Sequence, residues 1–382
     1  MLRRTLFWIH LSCGVVAGVV IALMCATGAA LAYEKELVAW AERDVRRVTP
    51  GPEGSRRGVE QVAGEVAARY PALAKGNLTV FHDPALAWMV APAGRGAQGP
   101  TVFVDPFTGE IQEAVPGRMR AFMRTMVAWH RWLGVEGEHR NAAKAVTGAC
   151  NVAFLGLAVT GLYLWWPRAW NRRVFRAISW LDFRLHGKAR DFNWHNALGV
   201  WSAPVLAILT LTAMPISYRW AGDALYRLTG TPLPAAGAPP AATPAVVPPP
   251  PAGAARLDAA ALVHAIATRH PEWQQMTFRL PTNPLPAGPL QVTLKESNRW
   301  PRTATTTLQI DPFTGGSLQV EAFEDLSGGR RLRTWTRFLH TGEALGWIGQ
   351  AVAGLASLAG VVLAYTGLAL SFRRFFGRRT AE

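Results

Sequence analysis

The chain has 382 residues, of which half are apolar and 17% are charged, and its formal net charge is +15. The length is enough for two or three domains, and the few charges together with long apolar blocks favour a membrane protein over a soluble one. The positive charge gathers in short segments beside the apolar blocks, which argues against nucleic-acid binding.

The first apolar block predicts a transmembrane helix at residues 8–33. A cleaved signal peptide is the alternative, because Arg3 and Arg4 precede the block and small residues lie near its end. The apolar stretch is longer than the roughly 7–15 residues of a signal-peptide core, so we expect the helix to be retained.

Residues 34–140 predict an exported α+β domain with an amphipathic helix. Its helix is expected at residues 59–70, and its strands at residues 78–82, 86–90 and 101–104. The last strand ends in the sequence DPFTG at residues 105–109, and both Asp-Pro and Thr-Gly are strong turn formers. A second transmembrane helix is expected at residues 141–166.

Residues 167–193 form a short segment rich in arginine, which marks the cytoplasmic side of a membrane. The remaining segments are predicted as a transmembrane helix at 194–220, a Pro/Ala-rich linker at 221–256, a second α+β domain at 257–340 and a transmembrane helix at 343–372. In the second domain we expect a helix at 257–269 and strands at 276–280, 290–295 and 305–310, followed by DPFTG at 311–315. Arg373, Arg374, Arg378 and Arg379 follow the last helix, so both termini are expected in the cytoplasm.

Two halves of the chain repeat each other. His10, Gly14, Thr27 and Tyr33 recur at a shift of 185 as His195, Gly199, Thr212 and Tyr218. DPFTG recurs at a shift of 206, as does Thr160–Gly161 in Thr366–Gly367. The fold class is therefore predicted as membrane α-helical: four transmembrane helices from a tandem duplication, with two exported small α+β domains.

Four histidines stand at the ends of the apolar helices. His10 and His195 lie at the inner ends of the first and third helices, and His130 and His340 precede the second and fourth helices at the outer face. A histidine close to hydrocarbon is costly and indicates function. Two imidazoles in each layer can fill both axial positions of a haem iron, so the sequence predicts two haems bound between helices.

Other residues are candidates for lining these sites. Glycines that would let a flat macrocycle approach are Gly14, Gly18 and Gly199, and candidate pocket walls are Trp8, Trp129, Trp132 and Trp194. Candidate partners for haem propionates are Arg131, Arg337 and Lys188.

Other interpretations of the histidines remain open. Each histidine alone could be an interfacial anchor, and His139 or His186 could replace a proposed ligand. Zinc or copper is less favoured, because the apolar layers lack partner Cys, Asp or Glu ligands. The three cysteines, Cys13, Cys25 and Cys150, lie in apolar blocks and are expected to be small packing residues rather than disulfide partners.

Three motifs carry a family resemblance. DPFTG after an exported strand, TGLYLWWPR at the end of the second helix and RDFNWHNALGVWSAP at the start of the third resemble the PepSY-associated transmembrane-helix proteins over nearly the whole chain. Within that family the chain is most similar to haem-containing ferrisiderophore reductases of the ferrioxamine type. The resemblance implies a bacterial inner-membrane protein with two b-type haems on His10, His195, His130 and His340, which match the family's recurring positions.

The expected function is a haem-dependent electron conduit that reduces ferric siderophores in the periplasm and releases ferrous iron. Its partners would be the lipid bilayer, a ferric siderophore as substrate, and a quinol or a cytoplasmic reductase as electron donor, since no Gly-rich dinucleotide loop is present. The main alternative is a non-enzymatic membrane protein whose exported domains bind a peptide, a protease or a siderophore. A transporter is less favoured, because the two copies run parallel and the helices look continuous.

Overall fold

The computed structural model describes residues 1–52, 56–94, 99–114, 118–168, 170–234, 245–250, 255–280 and 288–376. These residues divide into two compact units. A helical unit comprises residues 1–34, 121–233 and 328–382, and a sheet unit comprises residues 35–120 and 234–327. Part of the predicted linker, residues 235–244 and 251–254, lies outside the described residues, as do Arg378 and Arg379.

The described α-helices are α1 (Leu2–Leu31), α2 (Glu34–Ala41), α3 (Arg43–Arg46), α4 (Val59–Arg69), α5 (Arg118–Trp132), α6 (Arg140–Trp165), α7 (Arg172–Ser179), α8 (Gly187–Ser217), α9 (Arg219–Leu228), α10 (Ala259–Arg269), α11 (Gly328–Thr341) and α12 (Gly346–Phe376). Short 3₁₀ turns occur at Pro71–Leu73, Gly137–His139, Phe323–Asp325 and Glu343–Leu345. The strands are β1 (Asn77–Phe81), β2 (Trp88–Ala91), β3 (Val102–Val104), β4 (Ile111–Glu113), β5 (Trp273–Arg279), β6 (Leu290–Glu296), β7 (Thr306–Ile310) and β8 (Ser317–Glu321).

Among the described residues, four helical stretches are long and apolar enough to cross a membrane. They are Leu2–Leu31, Gly137–Trp165, Gly187–Ser217 and Glu343–Phe376, and each overlaps one of the four predicted helices. α8 begins seven residues before the predicted start at 194, because helical structure continues through the polar sequence that precedes the apolar run.

The long helices pack as a four-membered bundle. α1 contacts α6 and α12, and α8 contacts the same two helices, so α1 and α8 occupy diagonal corners. Ala17, Ile21 and Cys25 of α1 form a small buried cluster against Phe154 and Val361. Such close packing of small residues is typical of membrane helices.

The prediction of a linker at 221–256 is wrong in its first part, because residues 219–228 form α9. Ala221, Gly222 and Tyr226 are buried on one face of this helix, and Tyr218 before it is extended and separates it from α8. The helical spacing of these residues was hidden by the Pro/Ala-rich composition that follows. α5 and α11, predicted within the exported domains, group largely with the helical unit.

The sheet unit corrects the expectation of two separate α+β domains. Its strands form one antiparallel eight-stranded sheet in the order β4-β3-β2-β1-β5-β6-β7-β8. β1 and β5 pair along their whole shared length, with Leu78 opposite Phe278 and Val80 opposite Met276. Each is the edge strand of its own half, and pairing the two edges satisfies backbone groups that would otherwise stay open. α4 and α10 pack against the buried side of this sheet.

Both DPFTG sequences form the predicted turns. Asp105 Oδ1 accepts a hydrogen bond from Phe107 N at 2.8 Å, and Asp311 Oδ1 accepts one from Phe313 N at 2.8 Å. Gly109 and Gly315 have φ of +79° and +66°, a backbone conformation that favours glycine. Each turn leads into a further strand, β4 or β8, which the sequence analysis did not predict.

Candidate functional site

The helical unit brings the rings of His10 of α1 and His195 of α8 next to each other. Their ring centroids are 6.4 Å apart and their ring planes cross at 87°. The two residues belong to diagonal helices, so the rings meet inside the bundle. We call them the first histidine pair.

A second histidine pair consists of His130 of α5 and His340 of α11. Their ring centroids are 6.2 Å apart and the planes are inclined at 53°. Like the members of the first pair, both residues are partly buried. The structure therefore pairs the four histidines in the way that the sequence predicts.

In the first pair, each histidine is hydrogen-bonded through Nδ1 to a threonine of a neighbouring helix. His10 Nδ1 lies 2.9 Å from Thr160 Oγ1 of α6, and His195 Nδ1 lies 3.0 Å from Thr366 Oγ1 of α12. The two contacts are equivalent under the sequence repeat. They link the two long helices within each copy.

In the second pair, main-chain carbonyls take the place of the threonines. His130 Nδ1 donates to Met24 O of α1 at 2.9 Å, and His340 Nδ1 donates to Leu209 O of α8 at 2.9 Å. Thr27 Oγ1 makes a second contact with His130 Nδ1, at 3.1 Å. Met24 and Leu209 are also related by the shift of 185, so the repeat extends to the main-chain acceptors.

Hydrogen bonding at Nδ1 leaves Nε2 of each histidine as the nitrogen available to a metal. Bonds from imidazole nitrogen to a metal ion are about 2.0–2.1 Å long, so two opposed imidazoles have ring centres a little more than about 6 Å apart. Both observed separations agree with this value. The pairs therefore have the spacing of two ligands on opposite sides of one metal ion.

Within the described residues, no group of three or more His, Cys, Asp or Glu side chains is placed to hold a metal ion. A protein-only zinc site normally has three or four such ligands, whereas a haem iron takes four nitrogens from its porphyrin and needs only two from the chain. Paired imidazoles thus fit the donor set of haem, and ligation itself stays a prediction.

Glycines allow the histidine rings to approach the neighbouring helices. A Cβ atom on Gly28, Gly161 or Gly367 would lie 3.2–3.3 Å from Cε1 of His130, His10 or His195 respectively. Sequence reasoning did not assign these glycines or the two threonines to the site. The repeated Thr-Gly dipeptide was the available signal, because Thr160–Gly161 and Thr366–Gly367 each contact one histidine.

The sequence profile of the PepSY-associated TM region family matches residues 7–374. The chain belongs to this family. No curated protein matches the chain. The match includes both histidine pairs and most of both units, and the long apolar helices identify a membrane protein.

In this PepSY-associated TM protein, a buried ion cluster lies one helical turn from His195. The carboxylate of Asp191 is fully buried and contacts Arg190 at 2.8 Å and Arg373 of α12 at 2.5 Å. Arg374 lies over the rings of Phe7 and Trp8, at 4.9 and 5.1 Å from their centroids. The cations near the first pair are therefore these arginines rather than Lys188, which is exposed.

The remaining predicted pocket residues lie in several environments. Trp194 Nε1 is buried and has no hydrogen-bond partner among the described residues, which leaves a donor available next to His195. Trp8 and Trp129 are exposed, and Trp132 carries Arg140 over its ring at 3.8 Å. Arg131 and Arg337 are exposed.

The three glycines predicted to face a macrocycle differ in their surroundings. A Cβ on Gly18 would meet Leu368 at 3.3 Å, so this glycine lets α1 and α12 pack closely. Gly14 and Gly199 have only a leucine side chain near, at 3.9 and 3.8 Å. These two glycines keep the open surface that the prediction requires.

The alternative ligands lie at the surface. The side chain of His139 is 80% exposed and lies 3.6 Å from Glu138, and His186 is exposed just before α8. Neither makes a described ring contact with the histidine pairs.

Proposed function

We propose that this protein is a di-haem reductase of the bacterial inner membrane that carries electrons to ferric siderophores in the periplasm, where ferrous iron is released. The observation that carries the proposal is the pairing of four histidines at 6.4 and 6.2 Å, each held through Nδ1. Interfacial anchors have no need of a partner across a helix bundle or of a fixed tautomer.

The first pair, His10 and His195, would hold one b-type haem and the second pair, His130 and His340, the other. When bound, haem supplies an iron centre that alternates between ferric and ferrous states and so carries one electron. Each haem would be held by two histidines of the chain, and a haem held in this way would suit electron transfer rather than oxygen binding.

The separation of the two pairs supports transfer across the membrane. His10 and Thr27 lie 17 residues apart on α1, and Thr27 is in contact with His130. At ~1.5 Å per residue, the two levels are about 25 Å apart along the helix, close to the thickness of the hydrocarbon core. One pair would then lie near each face of the membrane.

The orientation follows from charge. Arginine is concentrated in the segment around α7 and after α12, so these parts would face the cytoplasm, with both termini on the same side. The sheet unit would then be periplasmic. A tandem duplication accounts for the repeated contacts, since each copy supplies one histidine to each pair.

A ferric siderophore fits as electron acceptor for a chemical reason. Hydroxamate and catecholate oxygens are hard donors that hold ferric iron far more tightly than ferrous iron, so reduction releases the metal. The electron donor would be a quinol or a cytoplasmic reductase.

The test is haem content followed by reduction. Protein purified from haem-replete cells should be red and contain about two b-type haems per chain. After anaerobic reduction, adding a ferric hydroxamate siderophore should reoxidise the protein and deliver iron to a ferrous chelator. Colourless protein would contradict the proposal, and reduced haem that a ferric siderophore does not reoxidise would contradict the assigned substrate.

A binding role for the sheet unit is the second candidate. A cavity of about 430 Å³ lies beside α10 and strands β5 and β6, lined by residues that include Asn77, Phe278 and Arg279. Its volume is within the usual range for small-molecule sites, so it could hold part of a siderophore or a peptide. Saturable binding of iron-free siderophore or peptide by colourless protein would favour this candidate.

A further inference from the structure

We infer that Thr160 and Thr366 are positioning residues that fix the tautomer and the ring plane of the first histidine pair, which makes this pair electronically different from the second. The inference deepens the proposed function and depends on haem being bound at His10 and His195.

The direction of the threonine contacts follows from counting protons. Thr160 Oγ1 donates its only proton to Gly156 O at 2.6 Å, and Thr366 Oγ1 donates to Val362 O at 2.8 Å. Each hydroxyl must therefore accept from the histidine, which puts the proton on Nδ1 and the lone pair on Nε2.

The same contacts restrict rotation of the rings. Each ring of the first pair contacts a threonine oxygen on one side, and its Cε1 lies close to Gly161 or Gly367, where a Cβ would be 3.3 Å away. The two rings stand almost perpendicular, at 87°, whereas the rings of the second pair are inclined at 53°.

The two pairs differ in whether a side-chain substitution can remove a hydrogen-bond acceptor of Nδ1. The second pair donates to the carbonyls of Met24 and Leu209, which every side-chain substitution leaves in place. In the first pair both rings contact a threonine hydroxyl, and His195 has the main-chain carbonyl of Leu363 as an additional acceptor. A change of threonine to valine keeps the shape of the side chain and removes the acceptor, so it should act on the first pair alone.

The ring angle gives a spectroscopic signature. Crossed axial imidazole planes keep the two π-type d orbitals of a low-spin ferric iron close in energy, and a smaller angle separates them. The wild-type protein should therefore show two distinct ferric EPR signals, the more anisotropic one from the first pair.

The experiment compares the wild-type protein with the Thr160→Val/Thr366→Val double variant by haem content, EPR spectrum and redox titration. The double variant should retain the second signal, alter the more anisotropic one and bind the first haem at least about 10-fold more weakly. Its first haem should titrate at a more positive potential, because loss of the Nδ1 acceptor makes the imidazoles weaker donors to ferric iron. A tenfold change in the ratio of ferric to ferrous binding corresponds to about 59 mV.

Two controls separate positioning from general damage. The Thr160→Ser/Thr366→Ser variant keeps both hydroxyls and should restore the spectrum and the potential. Thr210→Val removes a buried hydroxyl that bonds to Leu206 O and Ala207 O of its own helix, and it should leave both signals unchanged.

The outcomes distinguish this inference from the proposed function. Wild-type protein without haem overturns both. Wild-type protein with two haems whose spectrum and potentials are unchanged in the valine double variant overturns the inference alone. Equal loss of both signals also overturns it, because the threonines would then support the fold rather than the first pair.

Discussion

Glu296 of β6 is a buried carboxylate in the sheet unit and is held by three donors. Arg299 Nε and Thr306 Oγ1 donate to its Oε2 at 3.0 Å, and His270 Nδ1 lies 3.2 Å from its Oε1. Burial by itself raises the pKa of Glu296, but hydrogen bonds from Arg299, Thr306 and His270 outweigh burial and lower the pKa below its ordinary value. The ionised form is therefore favoured in the folded protein.

We predict that Glu296→Gln destabilises the sheet unit at neutral pH by about 1–3 kcal/mol, because the charged acceptor of three hydrogen bonds is lost and one of its donors, Thr306, is buried. A carboxylate with a lowered folded pKa stabilises the fold above its unfolded pKa of about 4.3, and this contribution disappears as the pH falls through the folded value. The difference in unfolding free energy between wild type and variant should thus shrink below about pH 4.5.

The measurement is thermal or chemical unfolding of the full chain in detergent between neutral and acidic pH. Asp44→Asn is the control, since the Asp44 side chain is 83% exposed and its contact with Arg43 at 3.6 Å should contribute little. A difference between wild type and Glu296→Gln that stays constant with pH would contradict the assignment.

The site residues differ in how far the sequence could reveal them. Histidines at helix ends are rare and costly, so the repeat selected His10 and His195, and the place before the second and fourth apolar helices selected His130 and His340. Thr160 and Gly161 are common residues in membrane helices, so the repeated Thr-Gly dipeptide marks them in the sequence but only their distance from a ring assigns them to the site. The carbonyl acceptors of Met24 and Leu209 have no sequence signal, because every residue carries a carbonyl.

At the scale of elements, Asp191 joins the start of α8 to the end of α12. Its side chain is completely buried between Arg190 and Arg373, so its charge depends on these partners. The Arg190 and Arg373 side chains are 34% and 36% exposed, so water partly solvates their charges when the carboxylate is removed.

We predict that Asp191→Ala lowers the stability of the helical unit by about 1–3 kcal/mol and weakens haem binding at the first pair, because His195 lies one turn further along α8. Unfolding in detergent and haem content measure both effects. Asp182→Ala is the control in the same segment, since its side chain is 45% exposed and lies 3.7 Å from Arg184. Equal effects of the two substitutions would exclude a special role for the buried cluster.

Helices and strands with a long hydrophobic pattern were predicted from the sequence. The four apolar helices, α4, α10 and most central strands could be predicted, since each buries a continuous face. β4 has three residues and is largely exposed, so it has no hydrophobic pattern. The pairing of β1 with β5 joins residues about 200 positions apart, such as Thr79 and Thr277, and no local signal specifies such a contact.

At the scale of the whole molecule, similar arrangements recur in the two halves of each unit. The sheet is symmetric about β1 and β5, and the helices are related by the repeated contacts. Within each copy a threonine holds a histidine, whereas the histidine pairs and two tyrosine contacts join different copies. Tyr33 packs on Gly354, and Tyr218 packs on Gly148.

These tyrosine contacts set the spacing of the copies near the second pair. A Cβ on Gly354 would lie 2.8–3.2 Å from ring atoms and the hydroxyl of Tyr33, so a larger residue must displace the Tyr33 ring or push α12 away from it. Gly354 is 12 residues from Thr366, about 18 Å along α12. A displacement at Gly354 should therefore change the geometry of the first pair less than that of the second pair.

We predict that Gly354→Leu destabilises the helical unit by about 1–3 kcal/mol and loses haem from the second pair before the first. Gly156→Leu is the matched control, because a Cβ on Gly156 meets nothing within 4 Å. Haem content and the two EPR signals distinguish the cases. If Gly354→Leu removed the first haem preferentially, or if both leucine variants behaved alike, the spacing between copies would not control the second pair. Selective loss of haem from the second pair would show that binding there requires the small residues between the helices as well as the two histidines.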